Sequence, residues 1–342
     1  MNIEKIHLDE LYRCYSTMAM PLDGQLHFFF ASEEKGYPAY AYPMNDLSQR
    51  KVVWDKMGGV MSMIPIPHQE NQFLAITDFY LKDSPSLAKL TWVKYDSVHG
   101  FVSHDLFYLP YLHRFDLFEV GDDVYFMGGT IADRKEHKED WSCPGKIYAA
   151  KLPKNLLDPI PLEVLKDGLT RNHGYSRSND RQCGYFSSDE GVFKIVPPSS
   201  TQVEWHIEQI MEGMVSEIAL IDIDQDGIEE MITIEPFHGN AIHIYKLNGE
   251  VPERVYTYPH EIDFAHTLVS TTIHGVPSFV GGIRRIESDL FIIQWVNGEF
   301  VTTIVDKGVG PANLDVYVSD DQTIIHSSNH TQNHAALYVV KA

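Results

Sequence analysis

HRFDLFEV (113–120), GDD (121–123) and VYFMGG (124–129) run in succession, and the rest of the chain is best read outward from them. Two runs rich in Phe, Val and Tyr flank a three-residue gap of Gly and Asp. Aromatic and β-branched residues suit a pleated, buried surface, and a Gly/Asx gap of this length closes a hairpin. After a longer segment, KIYAAKL (146–152) supplies a third strand. The unit is therefore strand, tight turn, strand, loop, strand.

The same unit recurs in both directions. IALIDI (218–223), DQDG (224–227), EEMITIEPF (229–237) and AIHIYKL (241–247) form one copy. HTLVSTTI (266–273), a turn at His274-Gly275, VPSFVGGI (276–283), DLFIIQWV (289–296), Asn297-Gly298 and EFVTTIVD (299–306) form another. Weaker copies run through 14–44, 60–95, 173–196 and 313–341, with starts near 12, 60, 113, 173, 216, 266 and 313. Seven units of roughly 30–60 residues have the spacing of propeller blades; six or eight would also fit it. The expected fold is all-β: a seven-bladed β-propeller with four-stranded antiparallel blades around a central channel, one domain over 1–342. IEKIHLD (3–9) would add the outer strand of the last blade and close the ring. A β-sandwich or two packed β domains is the alternative. The best helical stretch, 156–165, is interrupted by Pro159 and Pro161.

Composition narrows the class of function. With 44% hydrophobic and 12% aromatic residues there is ample material for the cores of repeated sheets. No apolar run reaches the ~20 residues that cross a bilayer, and MNIEKIHLDEL lacks the apolar core of a secretory signal. Cys14, Cys143 and Cys183 are odd in number and far apart, so a reducing cytoplasm is the expected compartment. A net charge of −21 argues against nucleic acid and against an anionic membrane as partners. The oligomeric state is not legible.

In a propeller the first strand of each blade starts, and the second ends, on one face. Five of the seventeen histidines fall at those positions: His113, His173, His238, His266 and His330. Neutral imidazoles that converge are ligands for Zn²⁺ or Mn²⁺, and an open coordination position makes such a site catalytic. His113, His173 and His266 are the expected ligands, with His238 as fourth ligand or general base and Tyr175 as reserve base. Arg284 and Arg285 are expected to grip a carboxylate, and Asn313, Asn329, His330 and Asp78 to contact the rest of the substrate. Each histidine could instead be a hydrogen-bonded core group, and Arg284-Arg285 could pair with Glu287 or Asp289. The Gly pairs at 58, 128 and 281 suit close backbone approach, not phosphate cradling.

A second cluster is Asp222, Asp224, Asp226 and Glu230 in the turn 222–230, a D-x-D-x-D-G-x-x-E pattern. Alternating carboxylates on a turn with Gly227 at its bend can converge on Ca²⁺ or Mg²⁺ in a structural role; an Asx-rich turn without metal is the other reading. Over 216–249 this segment resembles the calcium-loop blades of FG-GAP/VCBS propellers. More loosely, the His-bearing blades resemble metal-dependent sugar-converting propellers, the aldos-2-ulose dehydratases and oligogalacturonate lyases. That resemblance implies a lyase or isomerase acting on a small carbohydrate or sugar acid. A metal-dependent hydrolase of lactonase type and a non-catalytic binding propeller are the alternatives.

Overall fold

The computed structural model describes residues 2–80, 84–199, 202–249 and 251–341. β1 (Asn2–Glu10) comes first. β2 (Cys14–Leu22), β3 (Gln25–Ser32), β4 (Ala39–Pro43) and β5 (Lys51–Trp54) make one sheet. β6 (Met63–Pro65), β7 (Gln72–Thr77), β8 (Lys89–Asp96) and β9 (Gly100–Tyr108) make the next. β10 (Leu112–Val120), β11 (Asp123–Thr130), β12 (Gly145–Lys151) and β13 (Glu163–Leu169) follow. The fourth sheet is β14 (Gly174–Arg177), β15 (Gly184–Ser188), β16 (Gly191–Val196) and β17 (His206–Glu212). The fifth is β18 (Glu217–Ile221), β19 (Glu230–Glu235), β20 (Ala241–Lys246) and β21 (Glu253–Thr257). The sixth is β22 (Asp263–Ile273), β23 (Val276–Arg285), β24 (Leu290–Val296) and β25 (Glu299–Asp306). β26 (Pro311–Val318), β27 (Thr323–Asn329) and β28 (His334–Lys341) complete their sheet with β1, which pairs from Asn2↔Lys341 to Glu10↔His334. The protein is a seven-bladed β-propeller of four-stranded antiparallel blades.

The expected hairpin chemistry is present. His274 and Gly275 both take positive φ, 47° and 80°, as the two-residue turn that matches strand twist requires. Middle strands are buried along most of their length because other sheets cover both faces; all but the last residue of β19 (EMITIE) is buried. The stretch 156–165 forms no helix: it runs through loop into β13, as Pro159 and Pro161 dictate.

The chain divides into two compact units. The first takes Met1–Tyr15, Gly174–Lys194 and Glu208–Ala342, the second Ser16–His173 and Ile195–Ile207. In the first, Ile232, Ile234, Ile242 and Ile244 pack with Leu268, Phe279 and Phe291 of the following sheet. In the second, Met18, Phe29 and Ala31 pack with Phe73, Ala75 and Val93. Each fully buried side chain of this size stabilises by about 1.5–3 kcal/mol. These cores hold the strand ends that carry the polar residues described next.

Candidate functional site

In the first unit an aromatic and cationic stack forms where β22 begins and β19 and β23 end. His266, 2% exposed, stacks parallel to Phe264 with centroids 5.9 Å apart and lies 5.1 Å from the ring of His238. His238 also packs on Phe264 at 4.3 Å and on Phe237. The backbone is bent to achieve this: His238 and Phe264 sit in the left-handed region, φ 48° and 56°, which is rare for bulky residues. The His238 N–H donates to Ser216 Oγ at 3.0 Å, which pins the turn. His266 Nδ1 lies 2.5 Å from the Ala312 carbonyl. A carbonyl only accepts, so Nδ1 carries the proton and Nε2 bears the ring's lone pair, the arrangement of a metal-ligating histidine. Tyr15 meets the His266 ring edge-on at 5.6 Å, and its carbonyl accepts from Asn313 Nδ2 at 2.8 Å.

Arg284 and Arg285 lie over the Phe264 ring at 4.9 and 4.4 Å. Arg284 donates to His330 Nδ1 at 2.7 Å, and Arg285 lies 3.3 Å from Asp263. Glu287, one of the expected acidic partners, lies 3.9 Å from Lys307. Tyr175 opens β14, and burial, followed by the charge of Cys183, pushes its phenol well up. That keeps the phenol protonated and argues against Tyr175 as a base. Asn329 is withdrawn from any substrate: it is fully buried, its amide donates to Tyr338 OH, and its carbonyl accepts from Ser327 Oγ.

In the second unit His113 and His173 come together, rings 4.6 Å apart. Both are buried, and His113 Nδ1 lies 3.3 Å from the His173 carbonyl, which fixes its tautomer in the same way. Phe79 packs edge-on against His113. Neighbouring Asn172 is 1% exposed, and its Nδ2 donates to the carbonyls of Thr130 and Lys146, both at 3.3 Å. Its Oδ1 is buried with no hydrogen-bond donor among the described residues. Asp78 stands elsewhere in this unit, bound to Lys89 Nζ at 2.7 Å and to Tyr80 OH.

The acidic turn closes on itself. Asp222 accepts from the N–H groups of Asp226 and Gly227 at 3.0 and 2.8 Å, and Asp226 accepts from Ile228 N–H at 3.0 Å. Lys246 Nζ lies 2.8 Å from Asp224, 2.6 Å from Asp226 and 3.0 Å from Glu230. The spacing of carboxylates was legible in the sequence; the ammonium at their centre was not. Phe264 was missed as well, although its i, i+2 spacing from His266 on one strand was the available signal.

No protein-family model matches the sequence, and neither does any curated protein. Solved structures do match in fold. Sqt1 of Saccharomyces cerevisiae is 8% identical with a TM-score of 0.57, covering 94% of this chain and 82% of its own. The Dos1 propeller is 7% identical with a TM-score of 0.59, covering 98% and 94%. A Bacteroides uniformis protein assigned by its name to the 6-phosphogluconolactonases is 12% identical with a TM-score of 0.54, covering 89% and 85%. At these identities the likeness is one of fold.

Proposed function

We propose that this propeller is a metal-dependent lyase or isomerase acting on a sugar or sugar acid. The observation that carries the reading is the His238–Phe264–His266 stack with two guanidinium groups over its aromatic member. An imidazole with a fixed tautomer, that of His266, beside paired arginines suits a substrate with a carboxylate next to a reacting carbon. A divalent ion such as Zn²⁺ or Mn²⁺ held by these histidines would supply Lewis acidity toward a carbonyl or carboxylate. Arg284 and Arg285 hold the carboxylate, and Asn313 and His330 line its approach. His238, half-buried and set by its turn against His266, is either a ligand or, with the ion on His266, the base that takes the proton adjacent to the carbonyl. His113 and His173 are proposed as a ligand pair within their own unit, with the Asn172 side-chain carbonyl beside them as an oxygen donor. The sequence resemblances to FG-GAP/VCBS and sugar-converting propellers agree with this reading.

Elemental analysis by plasma mass spectrometry tests it on wild type, His238→Ala/His266→Ala and His113→Ala/His173→Ala. About one transition metal per wild-type chain is expected. Loss in the first variant alone assigns the ion to His238 and His266; loss in the second alone assigns it to His113 and His173. No transition metal in the wild type, even after reconstitution, would sink the reading. A lactonase-like hydrolase is the second reading, favoured by the name of the Bacteroides uniformis neighbour. Product chemistry separates them: an unsaturated product means elimination, a ring-opened acid means hydrolysis.

A further inference from the structure

We infer that Lys246 is the resident cation of the 222–230 turn: its tethered ammonium does the work of a bound calcium ion, and replacing it with a neutral residue turns the loop into a divalent-cation site. An ammonium has three N–H donors and no acceptor. Nζ of Lys246 has three carboxylates around it, from Asp224, Asp226 and Glu230, at 2.6 to 3.0 Å. Nζ hydrogen-bonds Asp224 and Asp226, while Glu230 Oε1, buried and without a hydrogen bond, faces the same ammonium as an ion pair.

The placement is built into the sheet. Glu230 and Lys246 are directly opposed in the β19–β20 register, so the strand pairing delivers the ammonium to the carboxylates. Both groups are enclosed, with Lys246 15% exposed and Glu230 1%. A buried carboxylate needs a cation, because leaving its charge uncompensated is far costlier than the pair itself. The remaining loop oxygens are already used: Asp222 accepts two backbone N–H groups, and Glu230 Oε2 accepts the Ile223 N–H at 3.0 Å. Calcium takes six to eight oxygens at about 2.3–2.6 Å. An ion within that reach of Asp222, Asp224 and Glu230, whose oxygens lie within 4.8 Å of one another, would sit against Nζ. Metal and ammonium therefore exclude each other. With the ammonium removed, the surplus negative charge is of the kind a hard divalent ion satisfies.

The test is calcium titration calorimetry together with thermal unfolding in EDTA and in millimolar CaCl₂. Wild type is expected to give no binding heat and the same Tm in both buffers. Lys246→Met is expected to unfold at a lower temperature in EDTA, to recover toward wild type with calcium, and to bind one ion. If Lys246→Met does not fold in EDTA, refolding from denaturant with calcium is expected to restore it. Lys246→Met/Asp224→Asn/Asp226→Asn, which lacks the surplus charge, is expected to fold without calcium. Calcium heat in the wild type that Asp224→Asn abolishes would overturn the inference. So would a Lys246→Met protein whose stability ignores calcium. Either result leaves the histidine site untouched, because the variants lie in a separate turn.

Discussion

Phe264 shows how much a single residue is made to bear. A left-handed backbone costs a bulky L-residue about 1–2 kcal/mol, and such strain persists only where the surroundings over-determine it. Here His238, His266, Arg284 and Arg285 all pack on the ring. Phe264→Gly removes the ring and the strain, whereas Phe264→Ala removes the ring and keeps the strain. The glycine variant should therefore be the more stable by about 1 kcal/mol, against the usual order in strands. Urea denaturation decides; an alanine variant at least as stable would mean that φ at 264 stores nothing. At this scale the sequence was uneven. The histidines could be picked out because strand starts are marked by turn chemistry just upstream. Lys246 could not, because its partnership with Glu230 across sixteen residues exists only once the β19–β20 register is known.

The strands divide in the same way. First, second and third strands were readable as apolar runs, because burial on both faces writes a continuous signal into them. The outer strands β5, β9, β13, β17 and β21 were not assigned: β5 is only four residues long, and the others keep solvent contact along most of their length, as in His206–Glu212, where no residue is buried. β1 is an outer strand of this kind that was found, yet its contribution lies in pairing more than in propensity. It holds eight register pairs with β28, packs Ile3 against a core that includes Ile325, Ala336 and Val340, and brings Lys5 to 2.6 Å from Asp306. Deleting residues 2–10 leaves the edge of β28 unpaired, a template for association with another chain. The truncated protein is expected to unfold at a lower temperature and to form larger species in size-exclusion chromatography. An unchanged Tm and elution volume would show that β1 adds nothing to the sheet.

Across the whole molecule, buried histidines and an acidic surface pull stability in opposite directions as pH falls. His27, His243, His326 and His334 are each held below the ordinary imidazole range, with burial the leading cause in every case. When the folded value lies below the unfolded one, the unfolded chain takes up the proton first. Stability is then full above about 6.5, the ordinary histidine value, and falls as pH drops from there toward the folded values. The net charge of −21 acts the other way, because protonation relieves self-repulsion. Ordinary carboxylates near 4 hardly titrate between pH 7 and 5.5, so histidine protonation is the larger change in that window. The buried carboxyls of Glu230 and Asp289 are raised by burial and have the opposite sign: their penalty is relieved by acid and cannot cause a loss near neutrality. Unfolding free energy, followed by urea denaturation, is therefore expected to be level from about pH 8 to 7 and to fall from about pH 7 to 5.5, by up to about 1.4 kcal/mol per pH unit for each histidine involved. Salt should leave most of that slope intact, since it screens surface repulsion far more than burial. In His27→Gln/His326→Gln the slope should shrink, whatever the change in absolute stability. A profile flat to pH 5, or a slope the double variant leaves unaltered, would place the acid sensitivity elsewhere.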